Sequence, residues 1–558
     1  MDFNVYDVVA AVASNHPQRE AIAYGERRLS FARFIERANR FANGLLAAGM
    51  RPWAERSALA AHESGQAHVA LYLRNCPEYI EAMVGCFGAR AVPINVNYRY
   101  VADEVAYLFD DASISVIVFQ SAFSSVVGEV VAKLNTRPAL LLQVDDGSDE
   151  HLLDGAHWYE DWLTTNAPVT PPVDRTADDL YALYTGGTTG MPKGVLWRQG
   201  DAFVPLFGGR RADGTEWRDL DEIVAAATAD GSMRLLAGAP LMHAAGQWPA
   251  MRSLVGGHTL VLLPDAGRFD AAAFARTLDV ERVTNANVVG DAFLWPFIDE
   301  LDRVPRALPH LRRIATGGIA ASARAKQALL QRLPHIDVLE TAGSSETGAI
   351  LGHESHTVDD VAAGTFRLLT SGRVLSEDRS RVMAPGDDEI GWLAAFARVP
   401  IGYLGDPIKS AATFPVIDGV RYSVPGDRVA FRADGIVELH GRESGTINTG
   451  GEKVFAEEVE RALLEHAAVR DVVVCGRPSA RWGSEVVALV VLDAAAAAIV
   501  DDGELRDAAR GRLAPYKVPK AFIRVDEVRR GPAGKIDYRW AHATAAADPT
   551  NATEASSG

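Results

Sequence analysis

One glycine-rich loop constrains this chain more than any other feature of its sequence. Residues 184–195 read Tyr-Thr-Gly-Gly-Thr-Thr-Gly-Met-Pro-Lys-Gly-Val. The apolar runs on either side, residues 180–184 and 195–197, predict two strands that the loop joins. Glycines let backbone N–H groups approach an anion closely, threonine hydroxyls donate further hydrogen bonds, and Lys193 adds a positive charge. The pattern therefore predicts a loop that binds a polyphosphate.

Two other kinds of phosphate loop fit this pattern poorly. A P-loop requires Gly-x-x-x-x-Gly-Lys-Ser/Thr at the start of a helix, whereas here Pro192 precedes the lysine and Gly194 follows it. A protein kinase would carry His-Arg-Asp and Asp-Phe-Gly segments downstream, and the sequence contains neither. The loop therefore indicates a different class of nucleotide site.

Length and composition narrow the class of protein. A chain of 558 residues is too long for one core, so we expect at least two domains. The net charge of −17 argues against broad nucleic-acid binding. The sequence shows no transmembrane run and no secretory signal, and its three cysteines predict no disulfide framework. These features predict a cytoplasmic protein without an integral membrane segment.

The hydrophobic pattern predicts layered α/β structure followed by a smaller unit. Short apolar runs alternate with helical periodicity between residues 236 and 350, which favours an α/β fold. Residues 427–441 predict two strands joined by a turn at Asp434-Gly435. Beyond them, helices at 456–465 and 503–513 and strands at 472–475 and 486–492 predict a small α+β domain. The small, polar tail, residues 541–558, is predicted to be disordered.

Further motifs follow the loop in a fixed order. They are Thr-Gly-Gly-Ile-Ala at 316–320, Gly-Ser-Ser-Glu-Thr-Gly at 343–348, Tyr-Ser-Val-Pro-Gly-Asp at 422–427, Gly-Arg at 441–442 with Ile-Asn-Thr-Gly-Gly-Glu-Lys-Val at 447–454, and Gly-Pro-Ala-Gly-Lys at 531–535. With the loop, this set resembles the adenylate-forming superfamily of acyl-CoA synthetases, luciferases and peptide-synthetase adenylation domains. The resemblance runs from about residue 15 to 540.

The resemblance implies an ATP site on named residues. Those implied to bind the nucleotide are Thr185, Gly186, Gly187, Thr188, Thr189, Gly190, Lys193, Gly318, Gly343, Ser344, Ser345, Asp427 and Arg442. Within this set, the Ser345 hydroxyl would contact the α-phosphate, and Asp427 and Arg442 would bind the ribose. Glu346 would help to hold the magnesium ion of Mg-ATP, which suits a hard cation that takes few carboxylates.

The resemblance also implies a mobile C-terminal domain. It divides the chain into an acyl- and ATP-binding domain at 1–442 and a mobile domain at 443–540, with the hinge near Ser444. Lys535 would be the lysine of the adenylation step. After rotation, a different face would line the thiol tunnel for CoA, with Gly450, Gly451, Glu452 and Lys453 on it.

The sequence departs from the family pattern at several positions, which include a motif tyrosine, Tyr422, that stands one residue early and a degenerate Gly-Lys motif at 531–535. Ala342 stands where an aromatic side chain usually stacks on adenine, and Ser345 replaces a threonine but keeps the hydroxyl. Pro425 replaces the threonine before the ribose aspartate, and Ser444 replaces the usual hinge Asp or Lys.

The acyl side of the site resembles one subgroup of the family. His243 matches the position of an aromatic or histidine residue at the acyl pocket. The Met-His-x-x-x-Gln247 context and the charged segment 208–230 resemble actinobacterial fatty-acyl-CoA ligases, including those that activate sterol side chains. The small residues Gly246, Ala292 and Ala342 would leave room for a bulky or long acid. The expected substrate is therefore a long-chain fatty acid or a sterol side-chain acid.

The expected activity is that of an AMP-forming acid–CoA ligase, which joins a small carboxylic acid to CoA at the expense of ATP. Three alternatives stay open at this stage. The acid could be aromatic, or the acceptor could be a carrier protein or oxygen, although the chain shows no carrier domain with its attachment serine. The protein could also bind nucleotide without catalysis. The sequence leaves the oligomeric state open, and a homo-oligomer is compatible with it.

Overall fold

A computed structural model gives the fold of the chain. It describes residues 2–185, 192–229, 233–264, 269–319, 321–362, 364–449, 452–479, 483–493, 500–530 and 536–548.

The first layer is built around a parallel sheet. Its strands lie in the order β4-β3-β5-β6-β7 and pair in parallel, and helices connect β3 to β4, β4 to β5 and β5 to β6, as parallel pairing usually requires. The elements of this part of the chain are α1 Val5–Asn15, β1 Glu20–Tyr24, β2 Arg27–Ser30, α2 Phe31–Ala47, β3 His68–Tyr72, α3 Pro77–Gly88, β4 Val92–Asn95, α4 Ala102–Asp111, β5 Ile114–Gln120, α5 Ser124–Lys133, β6 Leu140–Val144, β7 His157–Trp158 and α6 Tyr159–Thr164.

The second layer carries the predicted alternation of strands and helices. Strands β1, β11, β10, β12, β13 and β14 pair in parallel in that order, and β15 joins the edge antiparallel. The elements here are β8 Leu180–Thr185, β9 Lys193–Arg198, α7 Gln199–Leu206, α8 Leu220–Ala229, β10 Arg234–Ala237, α9 Ala244–Val255, β11 Thr259–Leu262, α10 Ala271–Val280, β12 Asn285–Val288, α11 Gly290–Arg303, β13 Arg313–Gly317, α12 Ala323–Arg332, β14 Asp337–Ser344 and β15 Gly348–Ser355.

An antiparallel region continues the large sheet past β15. The predicted strands between 427 and 441 are confirmed, because β22 pairs with β23 antiparallel. The elements are β16 Thr365–Leu368, β17 Gly372–Leu375, β18 Ile390–Phe396, β19 Gly402–Tyr403, α13 Pro407–Thr413, β20 Val416–Ile417, β21 Val420–Ser423, β22 Asp427–Phe431 and β23 Val437–Arg442.

The chain closes in a small α+β unit, as predicted. Strand β26 pairs antiparallel with β27, β27 pairs parallel with β28, and β24 and β25 form a separate hairpin. The unit has its own apolar core, which includes Val459, Val474 and Leu505. Its elements are β24 Thr446–Thr449, β25 Glu452–Phe455, α14 Ala456–Leu464, β26 Val469–Ser479, β27 Gly483–Leu492, α15 Asp502–Arg510, β28 Ala521–Arg524 and α16 Tyr538–Ala547.

The prediction of a disordered tail from residue 541 onward is wrong for its first residues. Helix α16 continues through Ala547, so residues 541–547 are ordered, while residues 549–558 lie outside the described part of the chain. Ala541 and Ala545 are fully buried, and the Ala545 carbonyl accepts a hydrogen bond from Arg477 at 3.3 Å. Alanines four residues apart share one face of a helix, so this small-residue stretch can pack closely against β26.

Among the described residues, no helix combines the length and the hydropathy needed to cross a bilayer. Cys76, Cys86 and Cys475 are all buried and unpaired, in agreement with the absence of a disulfide framework.

The C-terminal unit buries a carboxyl group that makes its stability depend on pH. Burial, assisted by the nearby charge of Glu457, raises the pKa of Glu460 from 4.5 to about 8. Glu460 Oε1 accepts a hydrogen bond from the Val474 backbone at 2.8 Å. The folded state therefore keeps a proton that the unfolded state releases above its ordinary pKa, so stability falls as pH rises from about 4.5 to about 8.

We predict that Glu460→Gln reduces this loss, because the amide is neutral at every pH and its oxygen can still accept from Val474. The measurement is the thermal unfolding midpoint of the wild type and the variant between about pH 5 and about pH 8.5. Glu465→Gln, at an exposed position just after the same helix, is the control and should follow the wild type. Equal slopes for Glu460→Gln and wild type would contradict the burial argument.

Candidate active site

The glycine loop connects two antiparallel strands, as its sequence predicts. Thr185 ends β8 and lies opposite Lys193, which begins β9. The predicted phosphate-binding residues Gly186, Gly187, Thr188, Thr189 and Gly190 lie outside the described residues. The two ends of the loop are therefore held in register.

Lys193 is held by a carboxylate from a distant part of the chain. Its Nζ lies 3.1 Å from Asp406 Oδ2, at the start of α13. Burial disfavours the ammonium, but the hydrogen bond and charge of Asp406 outweigh it, so the pKa of Lys193 is raised. Lys193 therefore presents a permanent positive charge beside the loop.

The carboxyl ends of the parallel strands supply the next set of predicted residues. In open α/β sheets, ligands bind at these ends. Gly318 follows β13 with φ of +82°, a backbone conformation that favours glycine. Gly343 near the end of β14 also requires glycine, because a Cβ would lie only 1.9 Å from the Gly348 carbonyl oxygen. The tight pairing of β14 and β15 thus sets the position of residues 344–347 between them.

Hydrogen bonds fix the short turn that carries Glu346. The Ser344 backbone donates to Thr347 Oγ1 at 2.9 Å, and the Glu346 backbone donates to Ser344 Oγ at 3.2 Å. The buried indole of Trp197 donates to the Ser345 carbonyl at 3.0 Å. Because Trp197 lies on β9, the turn is attached directly to the strand that leaves the glycine loop.

The Glu346 carboxylate is oriented by a tyrosine that the sequence analysis did not identify. Tyr403 in β19 donates from its hydroxyl to Glu346 Oε1 at 2.8 Å. Burial and, second, the Glu346 charge raise the pKa of Tyr403, so the phenol remains a donor. Since β19 pairs with β9, with Tyr403 opposite Val195, the glycine-loop strand also positions Glu346 from this side.

Asp427 and Arg442 form a pair on adjacent strands. They lie opposite each other on β22 and β23, and Arg442 Nε is 3.1 Å from Asp427 Oδ1. The charge of Asp427, and then that of Glu346, raises the pKa of Arg442 against the effect of burial. Arg442 therefore lies within electrostatic range of Glu346, and the predicted ribose and magnesium residues share one region.

His243 lies at another strand end, at the N-cap of α9. A buried asparagine, missed by the sequence analysis, links this point to the glycine loop. Asn95 donates to the Tyr184 carbonyl at 2.8 Å and to the Met242 carbonyl at 2.7 Å, and it accepts from the Tyr184 backbone at 2.8 Å. The structure places His243 after β10, at the same end of the sheet at which Gly318 follows β13. Gln247 is instead buried and bonded to Tyr181 and Tyr79.

The predicted C-terminal residues are only partly described. Ser444 lies in a single helical turn, Glu443–Gly445, directly after β23. Glu452 is exposed on β25, and Lys453 lies opposite Asn448 in the same hairpin. Gly450, Gly451 and Lys535 lie outside the described residues, although Arg530 and Ile536 form a bridge around the segment that holds Lys535.

The residues around Glu346 fit a magnesium ion bound with a nucleotide. A half-buried carboxylate whose Oε1 accepts one hydrogen bond is a suitable ligand for an ion that takes one or two carboxylates, phosphate oxygens and water. Magnesium would neutralise part of the phosphate charge there.

The described residues thus form a candidate nucleotide site with clustered charge at the strand ends, and comparison with known proteins identifies the family of the chain. The AMP-binding enzyme family matches residues 9–393, and the AMP-binding enzyme C-terminal domain matches residues 458–535. The chain belongs to the AMP-binding enzyme family, which confirms the resemblance seen in its motifs.

Similar proteins cover nearly the whole chain. The chain is 46% identical over 540 residues to medium-chain acyl-CoA ligase Mig of Mycobacterium avium, covering 97% of this chain and 98% of the relative. It is 36% identical to 3-oxocholest-4-en-26-oate–CoA ligase of Rhodococcus rhodochrous, and the match covers 97% of this chain and 96% of that relative. The crystal structure of ATP-bound MatB from Rhodopseudomonas palustris matches with a TM-score of 0.78 at 23% sequence identity. The match covers 98% of this chain and 99% of the MatB chain, which confirms the fold.

We predict that Asn95→Leu destabilises the protein, because it removes the side chain that joins the glycine loop to the His243 segment. Each buried backbone group left unsatisfied costs about 1–3 kcal/mol. The measurement is the change in unfolding free energy in urea. Asn43→Leu, at a half-buried asparagine whose hydrogen bonds to the Ala167 and Val169 carbonyls are exposed to solvent, is the matched control and should cost less. Equal costs would contradict the linking role of Asn95.

Proposed function

We propose that this protein activates a medium- or long-chain fatty acid as its acyl-adenylate and transfers the acyl group to CoA. The chain is an AMP-forming acyl-CoA synthetase, and ATP, CoA and a small carboxylic acid are its substrates. One observation carries the proposal. Lys193, Glu346, Asp427 and Arg442 meet in one region of a chain that is 46% identical to a medium-chain acyl-CoA ligase.

The first half-reaction joins two anions. A carboxylate oxygen of the acid attacks the α-phosphorus of ATP, and the bond to the pyrophosphate oxygen breaks. Lys193 supports the departing phosphates, and Asp427 accepts hydrogen bonds from the ribose hydroxyls. Lys535 bridges the carboxylate and the α-phosphate in the transition state. A preorganised donor of this kind contributes roughly 3–4 kcal/mol.

The second half-reaction displaces AMP with a thiol. The CoA sulfur attacks the acyl carbon, the bond to the AMP oxygen breaks, and the thiol proton passes to solvent. We infer that residues 443–540 rotate about Ser444 for this step, which removes Lys535 and presents Glu452 and Lys453 to CoA. A helical turn at the hinge, Glu443–Gly445, joins this unit directly to Arg442 on β23.

The acyl group is proposed from the relatives and from the sequence. The relative of Mycobacterium avium is named for medium-chain acyl groups, and the subgroup features at Met242, His243 and Gln247 point the same way. A sterol side-chain acid is the second candidate, because the chain is also 36% identical to a ligase named for 3-oxocholest-4-en-26-oate. His243, at the start of α9, is proposed to contact the acyl carboxylate.

Three accompanying proposals concern the metal ion, the cellular compartment and self-association. Magnesium is the metal of the site, with Glu346 as its protein ligand. The protein acts in the cytoplasm, in agreement with its unpaired buried cysteines. Self-association of the chain is compatible with this activity.

The test of the proposal is pyrophosphate release from Mg-ATP across a panel of carboxylic acids, with and without CoA. We expect release with octanoic or palmitic acid, stimulated by CoA, and much less release with acetate or benzoate. Turnover with 3-oxocholest-4-en-26-oate above that with fatty acids would favour the second candidate. Release that CoA does not stimulate, or benzoate as the best acid, would contradict the proposal.

We predict that Lys535→Ala separates the two half-reactions. Adenylate formation should fall roughly 10²- to 10³-fold, because the charge that bridges two anions is lost. Thioester formation from supplied acyl-adenylate and CoA should remain close to that of the wild type. Lys520→Ala, also near the C-terminus, is the control. Parallel loss of both activities in a folded Lys535→Ala protein would contradict the assignment.

A further inference from the structure

A second lysine lies beside Lys193 and has no assigned role. Lys409 is half-buried in the first turn of α13, and its Nζ lies 5.0 Å from the centre of the Tyr403 ring. Tyr403 is the residue that donates to Glu346, and the Lys409 ammonium lies close enough to interact electrostatically with both Lys193 and Glu346.

The aspartate at the start of α13 is already engaged. Asp406 caps α13, accepting from the Lys409 backbone through Oδ1 at 2.9 Å, and it accepts from Lys193 Nζ through Oδ2 at 3.1 Å. One aspartate therefore serves as the helix cap and as the partner of Lys193. Besides its contact with the Tyr403 ring, the Lys409 ammonium is attracted by the charges of Glu346 and, second, Asp406.

The arrangement is unfavourable without an anion. Burial lowers the pKa of Lys409, and the neighbouring ammonium of Lys193 lowers it further. Two like charges held close together raise each other's energy, and an anion bound to both relieves that repulsion. The fold nevertheless keeps them together, because β19 and β9 are paired and α13 begins directly after β19.

We propose that Lys409 binds the β- and γ-phosphates of ATP, and afterwards the pyrophosphate, as a second cation alongside Lys193. This inference rests on the proposed function for the reaction but concerns a residue that the motifs do not mark. Lys409 contributes to polyphosphate binding and to departure of pyrophosphate. It makes no contribution to the adenosine and α-phosphate part of the nucleotide.

The test compares ligands that contain and lack the terminal phosphates. The affinities of full-length wild type and Lys409→Met for ATP, AMP and inorganic pyrophosphate are measured by calorimetric titration, with magnesium and without any acid or CoA. We expect about tenfold weaker binding of ATP and pyrophosphate, the effect of losing one charge-assisted hydrogen bond, and unchanged binding of AMP. Lys409→Arg keeps the charge and should stay within about twofold of wild type.

Lys133→Met is the matched control, because Lys133 is an exposed lysine whose partners are Glu129 and Asp103 rather than the residues around Lys193. It should leave all three affinities unchanged. Equal weakening of ATP and AMP by Lys409→Met would show a structural role only and overturn the proposal, as would no effect on either ligand. If Lys409→Met does not fold, Lys409→Gln replaces it with the same expectations.

Failure of this inference is distinguishable from failure of the proposed function. Wild-type protein that binds ATP but releases no pyrophosphate with any acid would contradict the ligase proposal. The Lys409 proposal could still be tested in that case, by comparing the ratio of ATP to AMP affinity between wild type and Lys409→Met. An active ligase whose ATP and AMP affinities respond alike to Lys409→Met would overturn the Lys409 proposal alone.

Discussion

The pairing of strand Lys193–Arg198 on both of its edges is the interaction on which the site depends. One edge pairs with Leu180–Thr185, which sets the ends of the glycine loop, and the other pairs with Gly402–Tyr403. Trp197 on this strand donates to the Ser345 carbonyl, so the turn that carries Glu346 is held from the same strand. Residues more than 150 positions apart in the chain thereby share one rigid support, which a reaction between two anions requires.

Cationic side chains cluster in this site, although the whole protein carries a negative net charge. The chain carries a net charge of −17, yet Lys193, Lys409 and Arg442 converge near the carboxyl ends of the parallel strands. Carboxylates hold two of these cations in place. Asp406 holds Lys193, and Asp427 holds Arg442. Such pairs keep the cations oriented before a nucleotide arrives, so little reorganisation is needed when the polyphosphate binds.

Much of the fold could be predicted because its signals are local. Hydrophobic periodicity or turn residues predict several elements. These are the strands around the glycine loop, the helix Ala271–Val280 and the strand pair Asp427–Phe431 and Val437–Arg442. The tail prediction was wrong from residue 541, because composition does not show that a neighbouring strand supplies an apolar surface for Ala541 and Ala545.

The site was predictable only where the residues lie in motifs. Lys193, Glu346, Asp427 and Arg442 were found in this way, and the structure brings them into one region. Tyr403 lies in a strand of two residues, too short for any periodicity, and Asn95 acts through tertiary hydrogen bonds. Asp406-Pro407 is a recognisable helix start, and it was the one local signal that could have drawn attention to Lys409.

The most direct measurement of the central claim follows the oxygen atoms of the acid. Wild-type protein is incubated with ATP, CoA and octanoic acid labelled with oxygen-18 in its carboxyl group, and the nucleotide and phosphate products are analysed by mass spectrometry. If the carboxylate attacks the α-phosphorus, AMP carries one labelled oxygen and pyrophosphate carries none. Label in inorganic phosphate, or formation of ADP, would place the attack on another phosphorus and contradict the account.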